Sequence, residues 1–393
     1  MTRVFIAAGE PSGDLHAARY AQALRARIPD ATFVGFGGPR MVEAGVELRA
    51  NLVERAVMGV SKVIAEFGFV MDVAADFLYE LEHDRPDVLV LVDYPGLNLN
   101  LARMAQDHGV PVVYFICPQV WAWAPWRMRR VASRVDLLLA ILPFEEHLYR
   151  RVHSRVHYVG NPVFDHLSEI EANEPEPSPP VDGRYLAILP GSRRQEVEGA
   201  LPSMLRIAAS VAEAQALPIV VSCQRPSLRP RIDEICRESR VEVSVWDQPA
   251  HTLQRTAYLT LVVSGTATLE QAFFGGPMLV LYPAKPWQRG LFRYFSVTPF
   301  VCLVNLIAGR EVVREFLFDE DDIPEITDFA LALAEPEARE EAAETLRALR
   351  AERFEPGASD RAAEATVRFL EERRGATSAA RPTGARENPI GSG

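Results

Sequence analysis

Short polar clusters follow apolar runs at several points in this chain, and each carries residue types that can do acid–base or anion chemistry. After Val4–Ala8 come Glu10, Ser12, Asp14 and His16 in GEPSGDLH; after Val88–Val92 come Asp93 and Asn98 in DYPGLN. Gly191, Ser192 and Arg193 lie in LPGSR, and Ser264, Gly265, Thr266 and Glu270 in SGTATLE. A carboxylate projecting from a strand end into a crevice can serve as a general base. A glycine turn that opens a helix offers free N–H groups to an anion, and an adjacent arginine suits a pyrophosphate. Asn305 offers an amide to a sugar or a phosphate.

Each cluster also has a plainer reading. Asp93 can cap the helix beginning near Leu97, and on residue type alone that role stands slightly ahead. Asp14 can be an N-cap, and His16 a solvated residue of the first helical turn. LPGSR can be an ordinary turn with Arg193 paired to a surface acid. Thr266 and Glu270 can form a capping box, and Asn305 can be a turn residue.

These clusters need a scaffold. Strands are expected at Val4–Ala8, Val88–Val92 and Val112–Phe115, with helices over Asp14–Arg27 and Leu97–His108. The alternation resumes with strands near Tyr185–Leu189, Ile219–Ser222, Val241–Val245, Leu259–Val263 and Met278–Leu281. Strands alternating with amphipathic helices predict parallel sheets covered by helices, an α/β fold. Between the two series, EIEANEPEPSPPVDG reads as an extended linker. The division expected is a first domain over 1–166, a linker over 167–183, a second domain with C-terminal helices over 184–374, and a disordered tail over 375–393.

The chain has 393 residues, 48% of them hydrophobic, enough for about two cores. The formal charge of −11 argues against a nucleic-acid partner, while the first 165 residues are nearly neutral, with 17 basic and 19 acidic side chains. Cys117, Cys223, Cys236 and Cys302 show no metal-ligand spacing and fit a reducing, cytoplasmic setting. Asp319 and Asp321 in FDEDD match a D-x-D metal pair but read as a solvated acidic loop, so no metal is expected. No signal peptide or membrane-spanning run is evident.

Ten motifs in order, AGEPSGD, GPRM, VMGVSKV, DYPGLN, PQVWAW, LPFE, GNP, LPGSR, SGTATLE and NLIAGREVV, resemble the lipid-A-disaccharide synthase family over nearly the whole chain. Gly96 departs from the pattern, since many members carry an acidic residue there, and Pro11 stands where Thr or Ala is common. The resemblance implies two facing Rossmann-like domains of GT-B type and an inverting glycosyltransferase of Gram-negative bacteria. It implies transfer of 2,3-diacylglucosamine from its UDP carrier to the 6-hydroxyl of 2,3-diacylglucosamine 1-phosphate, giving a β-1,6 disaccharide and UDP, with no cofactor.

With that resemblance, Asp93 moves ahead as the base, with Glu10, Asp14 and His16 as further catalytic candidates. Ser12, Asn98, Gly191, Ser192, Arg193, Ser264, Gly265, Thr266, Glu270 and Asn305 become the substrate and UDP contacts. Glu270 resembles the glutamate that holds the ribose hydroxyls in such transferases. The segment Gly59–Leu81 has one bulky apolar helical face, ordinarily a core face. Acylated substrates make it a membrane or acyl surface instead, carried by Val63, Ile64, Phe67, Phe69 and Val70, at the cytoplasmic face of the inner membrane. The aromatic and basic stretch WAWAPWRMRR, Trp121–Arg130, suits a lipid headgroup region. A homodimer is left open by the sequence.

Two other functions remain compatible with these residues. A UDP-sugar epimerase of the same architecture would act without an acceptor. A silent nucleotide- or lipid-binding protein would not turn over even with one.

Overall fold

The computed structural model describes residues 1–57, 63–122, 124–295 and 298–379, and it contains two wholly parallel sheets. In the first, β1 (Arg3–Ala8), β2 (Thr32–Gly37), β3 (Glu47–Asn51), β4 (Val88–Val92), β5 (Val112–Phe115), β6 (Leu137–Ala140) and β7 (Val156–Tyr158) lie in the order β3-β2-β1-β4-β5-β6-β7. In the second, β8 (Leu186–Leu189), β9 (Ile219–Ser222), β10 (Ser244–Trp246), β11 (Leu259–Val263), β12 (Met278–Pro283) and β13 (Glu315–Phe318) lie in the order β10-β9-β8-β11-β12-β13. Central strands such as β4 and β11 are buried along their whole length, as strands covered on both faces must be.

Each sheet reverses its strand order once. The reversal falls between β1 and β4 in the first sheet and between β8 and β11 in the second. A crevice opens at the carboxyl ends of the strands flanking such a point, because their connections leave toward opposite sides. The four loops there carry Glu10, Asp93, the LPGSR turn and the SGTATLE turn.

Two boundaries differ from the sequence expectation. Residues from Leu167 to Asn173, expected in the linker, form the second half of the helix Val163–Asn173, because Phe164, Leu167 and Ile170 supply a buried face. The last helix, Ala358–Ala379, packs on the first domain's helix Pro11–Arg27 rather than extending the second domain. Tyr20 and Thr366 hydroxyls meet at 2.6 Å within that contact. Asp165 fixes the start of the last helix by accepting from the amides of Gly357, Ala358 and Ser359. The tail expected from 375 is therefore helical to Ala379, and 380–393 lie outside the described residues.

The helix Val63–His83 is amphipathic. Val73, Phe77 and Leu81 are buried, and the Phe77 ring packs edge-on against Phe5, 4.9 Å between centroids. Met71 and Tyr79 are exposed, at 55% and 61%. Val70 is half-buried against the core, which corrects its place in the expected apolar wedge. The side chains of Val63, Ile64, Phe67 and Phe69 lie outside the described residues. Among the described residues, no helix is long and apolar enough to cross a membrane.

Candidate active site

Both reversal points open onto one cleft of 410 Å³ between the domains. Its walls include Glu10 and Ser12 from the first domain, and Ser192, Arg193, Thr266 and Glu270 from the second. Arg193 reaches across, its guanidinium 3.6 Å from the Glu10 carboxylate.

On the first-domain side, the backbone is held in conformations that L-residues rarely adopt. Asp93 and Tyr94 have φ of 49° and 45°, and Ile116, just beyond β5, has φ of 62°. Such conformations cost about 1–3 kcal/mol each and persist where the surroundings enforce them. The enforcing contacts are visible: the Asp93 carbonyl accepts from Asn98 Nδ2 and from the Tyr114 hydroxyl, each at 2.7 Å. Gly9 completes the arrangement, since a Cβ there would collide with the Tyr94 ring.

Asp93 is not the N-cap residue of the helix that follows. That helix begins at Pro95 with Tyr94 as N-cap and no cap bond from the Tyr94 side chain, while the Asp93 carboxylate accepts from the Tyr94 amide just ahead of it. Asp93 is half-buried beside Glu10, outside the residues that line the cleft itself. Burial raises its pKa, and the Glu10 charge raises it further. The Tyr94 amide and, more weakly, the Arg193 charge pull it back down. A carboxyl whose proton affinity is raised above the ordinary Asp range is a stronger base once ionised.

Two other catalytic candidates are placed differently from the expectation. Asp14 is 1% exposed and accepts from the amides of Gly38 (2.8 Å), Arg40 (3.0 Å) and Met41 (3.2 Å), so it caps the short helix Pro39–Glu43. With its oxygens spent on backbone donors, Asp14 is structural. His16 is buried, outside the cleft lining, and burial together with Arg19 and His166 lowers its pKa to about 3. It stays neutral and away from the cleft. Asn98 is also fully buried, and its amide donates to backbone carbonyls of Val92 and Asp93, so it shapes the strand end and does not line the cleft.

The second domain presents two possible seats for an anion. One is the LPGSR turn, in which Gly191 has φ of +100°. The other is the N-terminus of the helix Thr266–Phe273, whose N-cap is Gly265 and which has no side-chain cap. A capping box between Thr266 and Glu270 is therefore absent. Glu270 instead accepts from Gln254 Nε2 at 2.9 Å while lining the cleft, and its carboxyl is raised by burial and lowered by Gln254 and His251. The Ser264 hydroxyl donates to the Val301 carbonyl at 3.3 Å. Asn305 leaves the expected contact set altogether. Its Nδ2 donates to the Val313 carbonyl and its Oδ1 accepts from Val312 and Val313, so both ends of the amide clamp one turn.

Two residues near the site were not among the expected site residues. Gln254 comes from a separate helix and meets Glu270 only through the fold. Glu145, in LPFE, is buried and accepts from Trp121 Nε1 and from the amides of Ile141 and Leu142. Burial raises its pKa to about 7 against the pull of those three donors. It anchors Trp121, which is 1% exposed, so this part of the aromatic and basic stretch is core, whereas Trp126 is 64% exposed. Among the described residues no group of three or more His, Cys, Asp or Glu is gathered as metal ligands, and Asp319 pairs with Arg289 at 2.7 Å.

The fold is shared widely. A UDP-GlcNAc 2-epimerase from Neisseria meningitidis, solved with UDP-GlcNAc bound, superposes with a TM-score of 0.58 at 13% identity, covering 94% of this chain and 100% of that one. The glycosyltransferase of kitacinnamycin gives 0.56 at 18% identity, covering 93% and 98%. At such identities only the architecture is shared, that of GT-B glycosyltransferases and related epimerases. Sequence is more decisive. A lipid-A-disaccharide synthase from Myxococcus xanthus is 36% identical over 387 residues, 94% of this chain and 97% of the relative. One from Persephonella marina is 34% identical over 376 residues, 93% and 98% of the two chains. The family model for lipid-A-disaccharide synthetase matches residues 4–368, and the chain belongs to that family and is a glycosyltransferase of lipid A biosynthesis.

Proposed function

We propose that this enzyme transfers 2,3-diacylglucosamine from its UDP carrier to the 6-hydroxyl of 2,3-diacylglucosamine 1-phosphate, with inversion at the anomeric carbon. The reading is carried by one observation: the loops flanking the two strand-order reversals face each other across a single cleft, with the Glu10 carboxylate on the first-domain wall and an uncapped helix end on the second-domain wall. The first domain takes the acceptor and the second takes UDP. Asp93 removes the proton of the acceptor hydroxyl, whose oxygen attacks the anomeric carbon. The bond from that carbon to the diphosphate oxygen breaks, and UDP departs with the electron pair. Arg193 and the amides at Thr266 stabilise the charge that develops on the leaving group, and Glu270 holds the ribose. A single displacement of this kind inverts the configuration and yields the β-1,6 disaccharide 1-phosphate.

No cofactor or metal takes part in this scheme. The enzyme binds peripherally to the cytoplasmic face of the inner membrane through the apolar start of the helix Val63–His83, near Phe67 and Phe69. Membership in the synthase family favours transfer over the epimerase reading, since epimerases share only the fold with this chain. The test is product analysis with diacylated UDP-glucosamine, with and without the 1-phosphate acceptor. Acceptor-dependent UDP release and a β-1,6 disaccharide support the proposal; an epimerised UDP-sugar formed without acceptor defeats it.

A further inference from the structure

The LPGSR turn already holds an anion that belongs to the protein. Glu196 Oε2 accepts from the amides of Ser192 (2.9 Å) and Arg193 (3.1 Å), while Oε1 accepts from Arg193 Nη1 at 3.3 Å. Two backbone amides and one guanidinium form the donor set that a phosphate group would seek. The turn is built around this carboxylate. Gly191 folds at φ +100°, and a Cβ there would stand 2.8 Å from the Glu196 Cβ. Glu196 also lines the cleft, with its side chain 31% exposed. On the same wall of the cleft, the N-terminal amides of the helix Thr266–Phe273 have no side-chain cap.

We infer that Glu196 is a specificity residue that reserves the LPGSR turn: it fills that seat, directs the donor's diphosphate to the helix end at Thr266, and screens the turn from free phosphate and pyrophosphate. Arg193 is thereby held between Glu196 and Glu10, where a diphosphate at the neighbouring seat can draw its guanidinium away. This deepens the proposed function and rests on the cleft taking a nucleoside diphosphate. The competing explanation is a helix cap alone, since Glu196 sits at the third position of the helix Arg194–Gln215. A cap predicts lower stability on substitution and no gain in anion binding.

Calorimetry on the full chain separates the two. With pyrophosphate as the probe, Glu196→Gln should bind about three- to tenfold more tightly than the wild type, because a competing charge next to Arg193 is gone. UDP affinity should change less than pyrophosphate affinity. Glu196→Asp keeps the charge but withdraws it by one methylene, so it should show a smaller gain in pyrophosphate affinity, and it serves alone if the glutamine variant does not fold. Pyrophosphate affinity that is unchanged or weaker in a folded variant overturns the inference. Wild-type protein that fails to bind UDP would instead count against the proposed function, whatever the variants do.

Discussion

Asp14 offers a sharp separation of structural from catalytic roles in the first-domain loop. Its carboxylate is the sole side-chain acceptor for three backbone amides, of which those from Gly38 and Met41 are fully buried. The fit is close, since a Cβ at Gly38 would lie 2.6 Å from Asp14 Oδ2. Asp14→Ala leaves those donors without partners in a space too tight to admit an easy substitute. At about 1–3 kcal/mol for each buried unsatisfied donor, the loss is roughly 3–5 kcal/mol. For a domain of this size, that lowers Tm by about 10 °C. Asp14→Asn should be milder. Oδ1 alone serves Gly38 and Met41, so an amide oxygen in that position keeps both bonds and sacrifices only the one to Arg40, a cost of about 1–2 kcal/mol. Differential scanning calorimetry on both variants, with turnover measured on folded protein well below Tm, reads the two roles independently. Turnover in Asp14→Asn should stay within about threefold of wild type, far short of the 10²–10⁴ typical of removing a general base. A variant with wild-type Tm and turnover reduced a hundredfold would refute the capping account and return Asp14 to the chemistry.

Three further outcomes are expected. Replacing Phe67 and Phe69 by Ser should strongly reduce binding to anionic liposomes in flotation assays, since each large side chain buried in lipid contributes up to about 1.5–3 kcal/mol; unchanged flotation would remove this helix from the membrane contact. Turnover should survive EDTA, and a loss restored by magnesium or manganese would show that an ion takes part. Glu145, whose folded pKa is raised from 4.5 to about 7, contributes stability that is fully present below pH 4.5 and lost as pH rises through 7. The stability difference between wild type and Glu145→Gln should therefore move in the variant's favour by about 2.5 kcal/mol between pH 5 and pH 8, and a pH-independent difference in denaturant titrations would contradict it.

Much of the scaffold was legible because its central strands are short apolar runs ending at glycine or at a polar cluster. VLVLV before Asp93 and LTLVV before Ser264 are both strands over the residues expected. The edges were not legible. In β3, ELRAN alternates exposed and half-buried residues, and β7 is only VHY, so neither carries an apolar run. Helix starts were misplaced by two or three residues where proline occupies the first turn, as at Pro11 and Pro95, because its fixed φ already suits a helix. In the site, the cleft-facing positions Glu10, Ser12, Arg193, Thr266 and Glu270 could be found from the turns that carry them. Asp14 and Asn305 were misread for a common reason. Their partners are backbone amides and carbonyls, which leave no trace in residue type, and for Asp14 those amides lie 24 to 27 positions away. Glu196 was visible as an acid three residues after Arg193, but only the turn's geometry shows that it occupies the turn's amides.

The central claim is that Asp93 activates the acceptor while the opposite domain holds UDP, and Asp93→Asn tests both halves on one purified sample. Asparagine tolerates the left-handed conformation at this position at least as well as aspartate, so the fold should persist. Because burial and Glu10 raise the Asp93 pKa, its ionisation costs stability, and the variant should melt no lower than wild type at neutral pH. The account predicts kcat reduced by about 10²–10⁴, UDP affinity changed by less than about twofold, and loss of the acid limb that the raised carboxyl gives the wild-type pH profile. Near-normal turnover, or a loss of UDP affinity matching the loss of turnover, would contradict it and turn attention to Glu10, the first-domain carboxylate that lines the cleft.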